Sequence, residues 1–267
     1  MELDTLIQSG THLDILIYIC VGLISGIAAG FFGIGGGTII VPLMLVLKYP
    51  MQHAIGISVM QMIFSSVFGS FINYKKGLLI VKDGIYAGIG GLIGASFSGI
   101  VLGNVSSETL KILFLCITFY SFIKYAFKVK SSVNNNPPAT SPLQRNLILI
   151  LAGALTGVFA ISLGIGGGLL MVPILGYYLG YQSKQAVPAS LFFVIFASIS
   201  GTISLHNQNV IDTAVLYAGF YIGIASMMGV WIGIKLIEIS SGKIHRIALL
   251  SIYMLSMLVT AYKLITG

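Results

Sequence analysis

Charge is what this chain lacks most. Only 8% of its 267 residues are charged, against about 25% in a soluble domain, and 14 Lys+Arg with 7 Asp+Glu cannot build a water-facing globular surface. That shortage excludes a cytosolic enzyme. Cysteine is scarce too: Cys20 and Cys116 stand inside apolar stretches with no second ligand type nearby, which argues against a disulfide frame and a metal site and predicts buried packing for both. The net charge of +7 comes without a basic stripe interleaved with aromatics, so nucleic acid is not an expected partner. The first residues, MELDTLIQSGTHLD, lack the positive n-region of a signal peptide, and the first apolar run is expected to stay in the mature protein.

What remains is apolar: 57% hydrophobic residues with 33 Gly and a mean hydropathy of +1.00. The solvent such a chain is built for is lipid. A membrane-crossing helix needs about 20 apolar residues, and uncharged runs of that order cover 15–47, 54–74 and 84–107, with a shorter core at 112–123 that Lys111 and Lys124 extend by snorkelling. Similar runs return at 146–183, 185–205, 213–234 and 247–262. Between the two sets lies the one stretch composed like an aqueous linker, 128–146, where Asn134, Asn135, Asn136, Pro137, Pro138 and Pro142 oppose both helix and strand.

The two sets are a repeat. Ser25 to Pro42 (SGIAAGFFGIGGGTIIVP) aligns with Thr156 to Pro173 (TGVFAISLGIGGGLLMVP), identical at Gly26, Ala29, Gly33, Ile34, Gly35, Gly36, Gly37, Val41 and Pro42. Further on, Ala54-x-Gly56-Ile57-Ser58 matches Ala186-x-Pro188-Ala189-Ser190, and Tyr86-Ala87-Gly88 matches Tyr217-Ala218-Gly219. Lys and Arg concentrate in cytoplasmic loops, which places the loops around Lys75, Lys76 and Lys82, around Lys124 to Arg145, and around Lys235 to Arg246 inside, and leaves only Lys48, Lys111 and Lys263 outside. The loop 206–212 has neither and falls outside, so the run from 146 must go out and return as a hairpin broken at its glycines. The same hairpin in the first half puts the acidic N-terminus outside. The expected fold is therefore an all-α polytopic membrane protein of two inverted repeats. The first covers 1–127 (hairpin 13–48, spans 54–74, 83–103 and 108–127), then a cytoplasmic linker 128–145, then a second repeat 146–267 (hairpin 146–180, spans 186–206, 212–235 and 246–265), with both termini outside.

Irregular backbone at membrane depth survives only where it is buried in protein or lines a wet cavity. The GIGGG clusters at 33–37 and 164–168 are such places, each followed by an apolar segment too short to span. A half-helix starting there aims free N–H groups and the positive end of its dipole inward, where an anion can be held. Gly35, Gly36, Gly37 and Thr38, with Gly166, Gly167 and Gly168, are accordingly candidate substrate-binding residues, and Gly33, Pro42, Gly164 and Pro173 candidate hinges. A proline lacks the N–H, so each fits the start of its short helix or prolongs the unwound segment. Ser58 and Ser190 occupy equivalent positions and either bond back to their own helix or donate to an anion; Gln61, one turn from Ser58, is costly in lipid unless it faces a lumen. Asn73 and His206 fall at span ends, where an interfacial location is expected. Gly84, Gly88, Gly90, Gly94, Gly219, Gly223, Gly229 and Gly233, at four-residue spacing, read as helix-packing positions. No acid interrupts a span, so a carboxylate proton relay is not supported. No catalytic residue, metal ligand or cofactor is expected.

The paired GIGGGxxxVP motifs, each followed by an Ala-x-x-x-Ser segment, resemble the sulfite exporter TauE/SafE family, also called the toluene sulfonate uptake permease family, over the whole chain. The resemblance implies an inner-membrane carrier of small anions: sulfite, sulfonates such as sulfoacetate, or small carboxylates. Where related sequences commonly have Gly-Thr-Ser after the hairpin, this chain has Gly56-Ile57-Ser58 and Pro188-Ala189-Ser190. Rocking of one repeat against the other fits a secondary transporter. The alternatives are an anion channel of the same architecture, a non-transporting scaffold or sensor, which would want a soluble domain, and a membrane enzyme, which would want a nucleophile with its base.

Overall fold

The computed structural model describes residues 12–127, 141–181 and 183–266. These form eleven helices and no strand: α1 (His12–Phe32), α2 (Gly37–Val46), α3 (Met51–Lys75), α4 (Val81–Ala95), α5 (Ser98–Asn104), α6 (Ser107–Phe127), α7 (Pro142–Ser162), α8 (Gly168–Leu179), α9 (Ser183–Asn207), α10 (Thr213–Ile239) and α11 (Gly242–Thr266). Seven stretches are long and apolar enough to cross a membrane: Leu13–Phe32, Met51–Lys75, Val81–Asn104, Pro142–Ser162, Gln185–Asn207, Thr213–Ile239 and Lys243–Thr266. The expected linker lies mostly outside the described residues, and its last residues, from Pro142, already belong to α7. Ser141 explains that start: its hydroxyl accepts from the Gln144 N–H while the Gln144 side chain accepts from the Ser141 N–H, a capping box with proline at the first helical position.

The helices are apolar on the outside and polar within. Leu151, Leu155, Ile203, Met228, Leu255 and Leu258 are all more than half exposed, whereas Ser25, Thr38, Ser58, Gln61, Ser65 and Ser190 are fully buried. Water would reverse that arrangement; hydrocarbon, which cannot hydrogen-bond, produces it. Cys20 and Cys116 follow the outward face and are exposed, not buried as their apolar context predicts. Hydropathy does not distinguish inside from outside once the surroundings are as apolar as the core.

Glycine sets the closest approaches. Along α1, Gly22, Gly26 and Gly30 face the carbonyl oxygens of Ile222, Ser226 and Val230 on α10, while Gly229 and Gly233 of α10 face those of Leu23 and Ile27; a methyl at any of them would overlap backbone. The pair α4 and α7 repeats this, with Gly90 and Gly94 against Ile150 and Ala154, and Gly153 and Gly157 against Ala87 and Gly91. Gly84 and Gly88 receive the rings of Phe192 and Phe196, and Gly219 and Gly223 receive Met60 and Phe64. The eight glycines assigned to packing do pack. α3 and α9 cross at the centre, flanked by α10 and α4, and α6 and α11 lie together on one side.

Two ends of the bundle can be told apart. At one, Tyr18 and Tyr49 share a hydrogen bond of 2.6 Å between hydroxyls, His53 lies 3.9 Å from Asp212, and Lys111 donates to the Lys263 carbonyl over 3.1 Å. At the other, Lys76 pairs with Glu238 at 2.6 Å, Arg145 with Asp83, and Arg246 donates to the Ala126 carbonyl over 2.6 Å. The second end carries most of the basic residues described.

Candidate functional site

The two glycine loops meet. Gly33, Gly35, Gly36, Gly164 and Gly166 all have positive φ, between 62° and 84°, a region closed to most side chains. The turns they make lay one loop on the other: a methyl on Gly35 would stand 3.4 Å from the Gly166 Cα, one on Gly166 would overlap the Ile34 carbonyl, and methyls on Gly37 and Gly168 would overlap the carbonyls of Gly164 and Gly33. Sequence spacing identified the loops; only the fold shows that each presses against the other.

Ser58 and Ser190 clamp this crossing. The Ser58 hydroxyl donates to the Gly164 carbonyl over 2.8 Å, and the Ser190 hydroxyl donates to the Gly33 carbonyl over 3.1 Å. Each serine thus bonds to the opposite loop, not to its own helix and not to a free position. The reason is backbone arithmetic: a buried carbonyl in an irregular loop needs a donor, and the loop's own N–H groups are turned elsewhere.

Beside the clamp, polar groups are left over. Gln61 is fully buried, and neither its Nε2 nor its Oε1 has a hydrogen-bond partner. Its carboxamide lies against Gly36, with both terminal atoms 3.1 Å from where a Cβ would be. Gly36 caps α2 in the left-handed conformation (φ 84°) without any side-chain cap, and the first N–H groups of a helix have no intrahelical acceptor. Thr38 Oγ1, one residue into that helix and fully buried, is also without a partner. Two unpartnered side chains thus belong to one helix end that no side chain caps, Gln61 against its cap residue and Thr38 in its first turn.

Pro42 lies inside α2 and not at its start. A proline there removes the bond that would otherwise satisfy the Thr38 carbonyl four residues back, and the Ser256 hydroxyl of α11 donates to that carbonyl instead. Pro173 likewise falls within α8 (Gly168–Leu179).

The second half-helix differs. Gly167 is in the right-handed region (φ −65°), and the Phe193 ring covers it, within 2.6 Å of a Cβ position at its Cδ1. Phe193 is fully buried and, in the register that aligns Ser58 with Ser190, stands where the first repeat has Gln61. The same register would have drawn attention to Tyr49 and Tyr181, which end the two short segments. Tyr181 donates to Asp83, and its hydroxyl accepts from Arg145 over 2.9 Å. Burial and the bond to Asp83 raise its pKa, so the hydroxyl keeps its proton across the neutral range. The Asp83 side chain is 6% exposed and sits within the first turn of α4, inside the span and not beside it as the sequence predicts.

Asn73 is buried, at 2% exposed, with its Nδ2 unpartnered, not interfacial as its place near a span end predicts. It lines a cavity of about 140 Å³ that also touches Gly30, Val187, Pro188 and Glu238. His206 is exposed. Among the described residues no cluster of three His, Cys, Asp or Glu side chains is placed to hold a metal.

Known proteins are similar to this one over most of its length. The chain is 28% identical over 252 residues to the probable membrane transporter protein YunE of Bacillus subtilis, covering 84% of this chain and 87% of that protein. It is 30% identical over 204 residues to the probable membrane transporter protein MJ0441 of Methanocaldococcus jannaschii, covering 72% and 73%. No solved structure matches. A family profile described as Sulfite exporter TauE/SafE matches residues 18–260, and with seven candidate spans the chain is a multi-pass membrane protein belonging to the TauE/SafE family.

Proposed function

We propose that this protein transports small anions, with the first glycine loop and α2 holding the ligand and the two halves, as inverted repeats, rocking about the crossing. Membrane transport is supported by the family and by relatives named probable membrane transporters. The anion is supported by one observation above the others: the Gln61 carboxamide, buried and unpartnered, beside the uncapped N-terminus of α2 and the free Thr38 Oγ1. A buried amide without a partner costs about 1–3 kcal/mol, and an anion at the helix end supplies the acceptor for Nε2, for the Thr38 hydroxyl and for the first N–H groups together.

The assignment is to sulfite, a sulfonate such as sulfoacetate, or a small carboxylate, carried through the inner membrane with the Lys- and Arg-rich end in the cytoplasm and the termini outside. Gly35, Gly36, Gly37, Thr38 and Gln61 form the polar wall; Gly166, Gly167 and Gly168 form the opposing backbone; Ser58 and Ser190 hold the closed crossing and release it as the halves move. Gly33, Pro42, Gly164 and Pro173 set the bends. The pairing of α1 on α10 and of α7 on α4 joins elements of the two halves in equivalent ways, as inverted repeats would.

The test is flux of sulfite, methanesulfonate, sulfoacetate and acetate into proteoliposomes carrying the wild type or Gln61→Leu. Wild-type flux of at least one of these, lost in a Gln61→Leu protein that stays folded, is the expected result. Full flux in the variant overturns the site, and a wild type that moves none of the four overturns the anion.

A further inference from the structure

We infer a second anion-binding place on the path, at the basic end, where Glu238 stands in for the anion while the protein is empty; this rests on the anion-transport reading above. The cavity of about 140 Å³ below the crossing is roomy enough for a small anion, given that a water occupies about 30 Å³. Its inner wall includes Val187, which is also the neighbour of Gly33, with Cα and Cγ1 each 3.0 Å from the Gly33 Cβ position. Only the Val187 side chain therefore separates the cavity from Gly33 of the first glycine loop. Asn73 lines it with a buried Nδ2 that has no acceptor. At its rim stands Glu238, held by the Lys76 ammonium at 2.6 Å.

The chemistry of these groups is that of an anion site already filled from within. A primary amide lines a largely apolar space, and the one carboxylate on its lining is held by an ammonium that stands just outside it. The neighbouring lysines of this end are occupied differently: Lys75 lies over the Phe71 ring at 4.6 Å and Lys235 over the Trp231 ring at 3.6 Å. Lys76 alone of the three is on a carboxylate that borders the cavity. An arriving sulfonate or carboxylate exchanges with Glu238 on Lys76, takes the Asn73 N–H, and stands next to the loop it must pass. The pair is partly exposed, with side chains 33% and 44% accessible, so the exchange happens in contact with water and needs no buried charge to be uncovered.

An ordinary surface ion pair and a self-occupied site differ in sign. Losing either partner of a structural pair has the same effect, whereas losing Glu238 removes a competitor and losing Lys76 removes the site. Purified full-length protein is titrated with methanesulfonate and with acetate, and the apparent Kd is read from thermal stabilisation, in the wild-type and the Gln61→Leu backgrounds. Glu238→Gln is expected to tighten binding about two- to five-fold and Lys76→Met to weaken it about as much, the range for an exposed pair; Lys76→Arg restores it, and Asn73→Leu weakens it. Shifts in the same direction for Glu238→Gln and Lys76→Met, or no shift in either, overturn the proposal. If those shifts are absent while Gln61→Leu abolishes stabilisation, the central site stands and only this one falls. If the opposite shifts persist in Gln61→Leu, the second place is separate from the central one. No stabilisation of the wild type by either anion removes both.

Discussion

The two halves of the molecule fold alike and are furnished differently. Both turn at GIGGG, both start a short helix there, and each sends a serine to the other's loop, Ser58 to Gly164 and Ser190 to Gly33. At the next turn of the central helices they part: the first half has Gln61 against Gly36, the second has Phe193 against Gly167. Thr38 in the first is matched by Leu169 in the second. The backbone conformation follows, since Gly36 is left-handed and Gly167 is not. Symmetry thus governs what makes the crossing, and asymmetry what could hold a ligand. A similar division holds at the ends, where Tyr49 meets another phenol and Tyr181 meets an ion pair.

The largest effect should be symmetric. Gly37→Ala and Gly168→Ala each drive a methyl into a carbonyl of the opposite loop, and overpacking of backbone that cannot yield is expected to remove more than about 4 kcal/mol. Fluorescence-detected size exclusion should show both variants aggregated; a monodisperse Gly168→Ala beside an aggregated Gly37→Ala would break the equivalence of the loops.

The ends should respond unequally. Arg145→Gln leaves the Asp83 carboxylate, almost fully buried, without its cation, and about 3 kcal/mol of stability should go, the lower end of the range for breaking a buried pair because Arg145 is itself partly in water. Tyr49→Phe removes one neutral hydrogen bond and should cost about 1 kcal/mol. Thermal unfolding of the two variants in the same detergent measures the difference, and equal losses would contradict the contrast between the ends.

At the centre the sign should reverse. Gln61→Leu removes a buried amide with no partner and should stabilise the empty protein by about 1–2 kcal/mol while removing the central site's share of anion-dependent stabilisation. Phe193→Leu keeps an apolar group in place and should leave anion binding intact. A destabilised Gln61→Leu would mean that its amide is satisfied in the resting protein.

The smallest effect sharpens the shared part. Ser58→Ala and Ser190→Ala should each cost about 1 kcal/mol, and because both bonds hold one crossing, a double-mutant cycle should show coupling of about 0.5 kcal/mol or more. Strict additivity of the unfolding free energies would make the two serines independent local contacts.

Much of this was legible in the sequence and some was not. The duplicated glycine clusters, the apolar runs and the four-spaced packing glycines announced a helical membrane protein broken at two places. Gln61 stood out because an amide inside an apolar run needs a reason. The serines were legible as a pair but not as clamps, since their acceptors lie more than a hundred residues away in sequence, with a separation of 106 for Ser58 and 157 for Ser190. Asn73 was misplaced because nearness to Lys75 suggested an interface, whereas the chain returning through Leu78, together with α9 and α10, closes over it. The cysteines were misplaced because apolar context says nothing about direction in lipid.

Pro42 has a consequence for biosynthesis. It frees the Thr38 carbonyl, and the donor that answers it is Ser256, 218 residues further along the chain. A ribosome delivers α2 well before α11, so the short helix beside the candidate site enters the bilayer with one acceptor unmatched and keeps it so until α11 docks. The first half can be built, threaded and packed against α10, yet its most polar corner is completed only by a helix made some two hundred residues later, which ties that corner to late assembly.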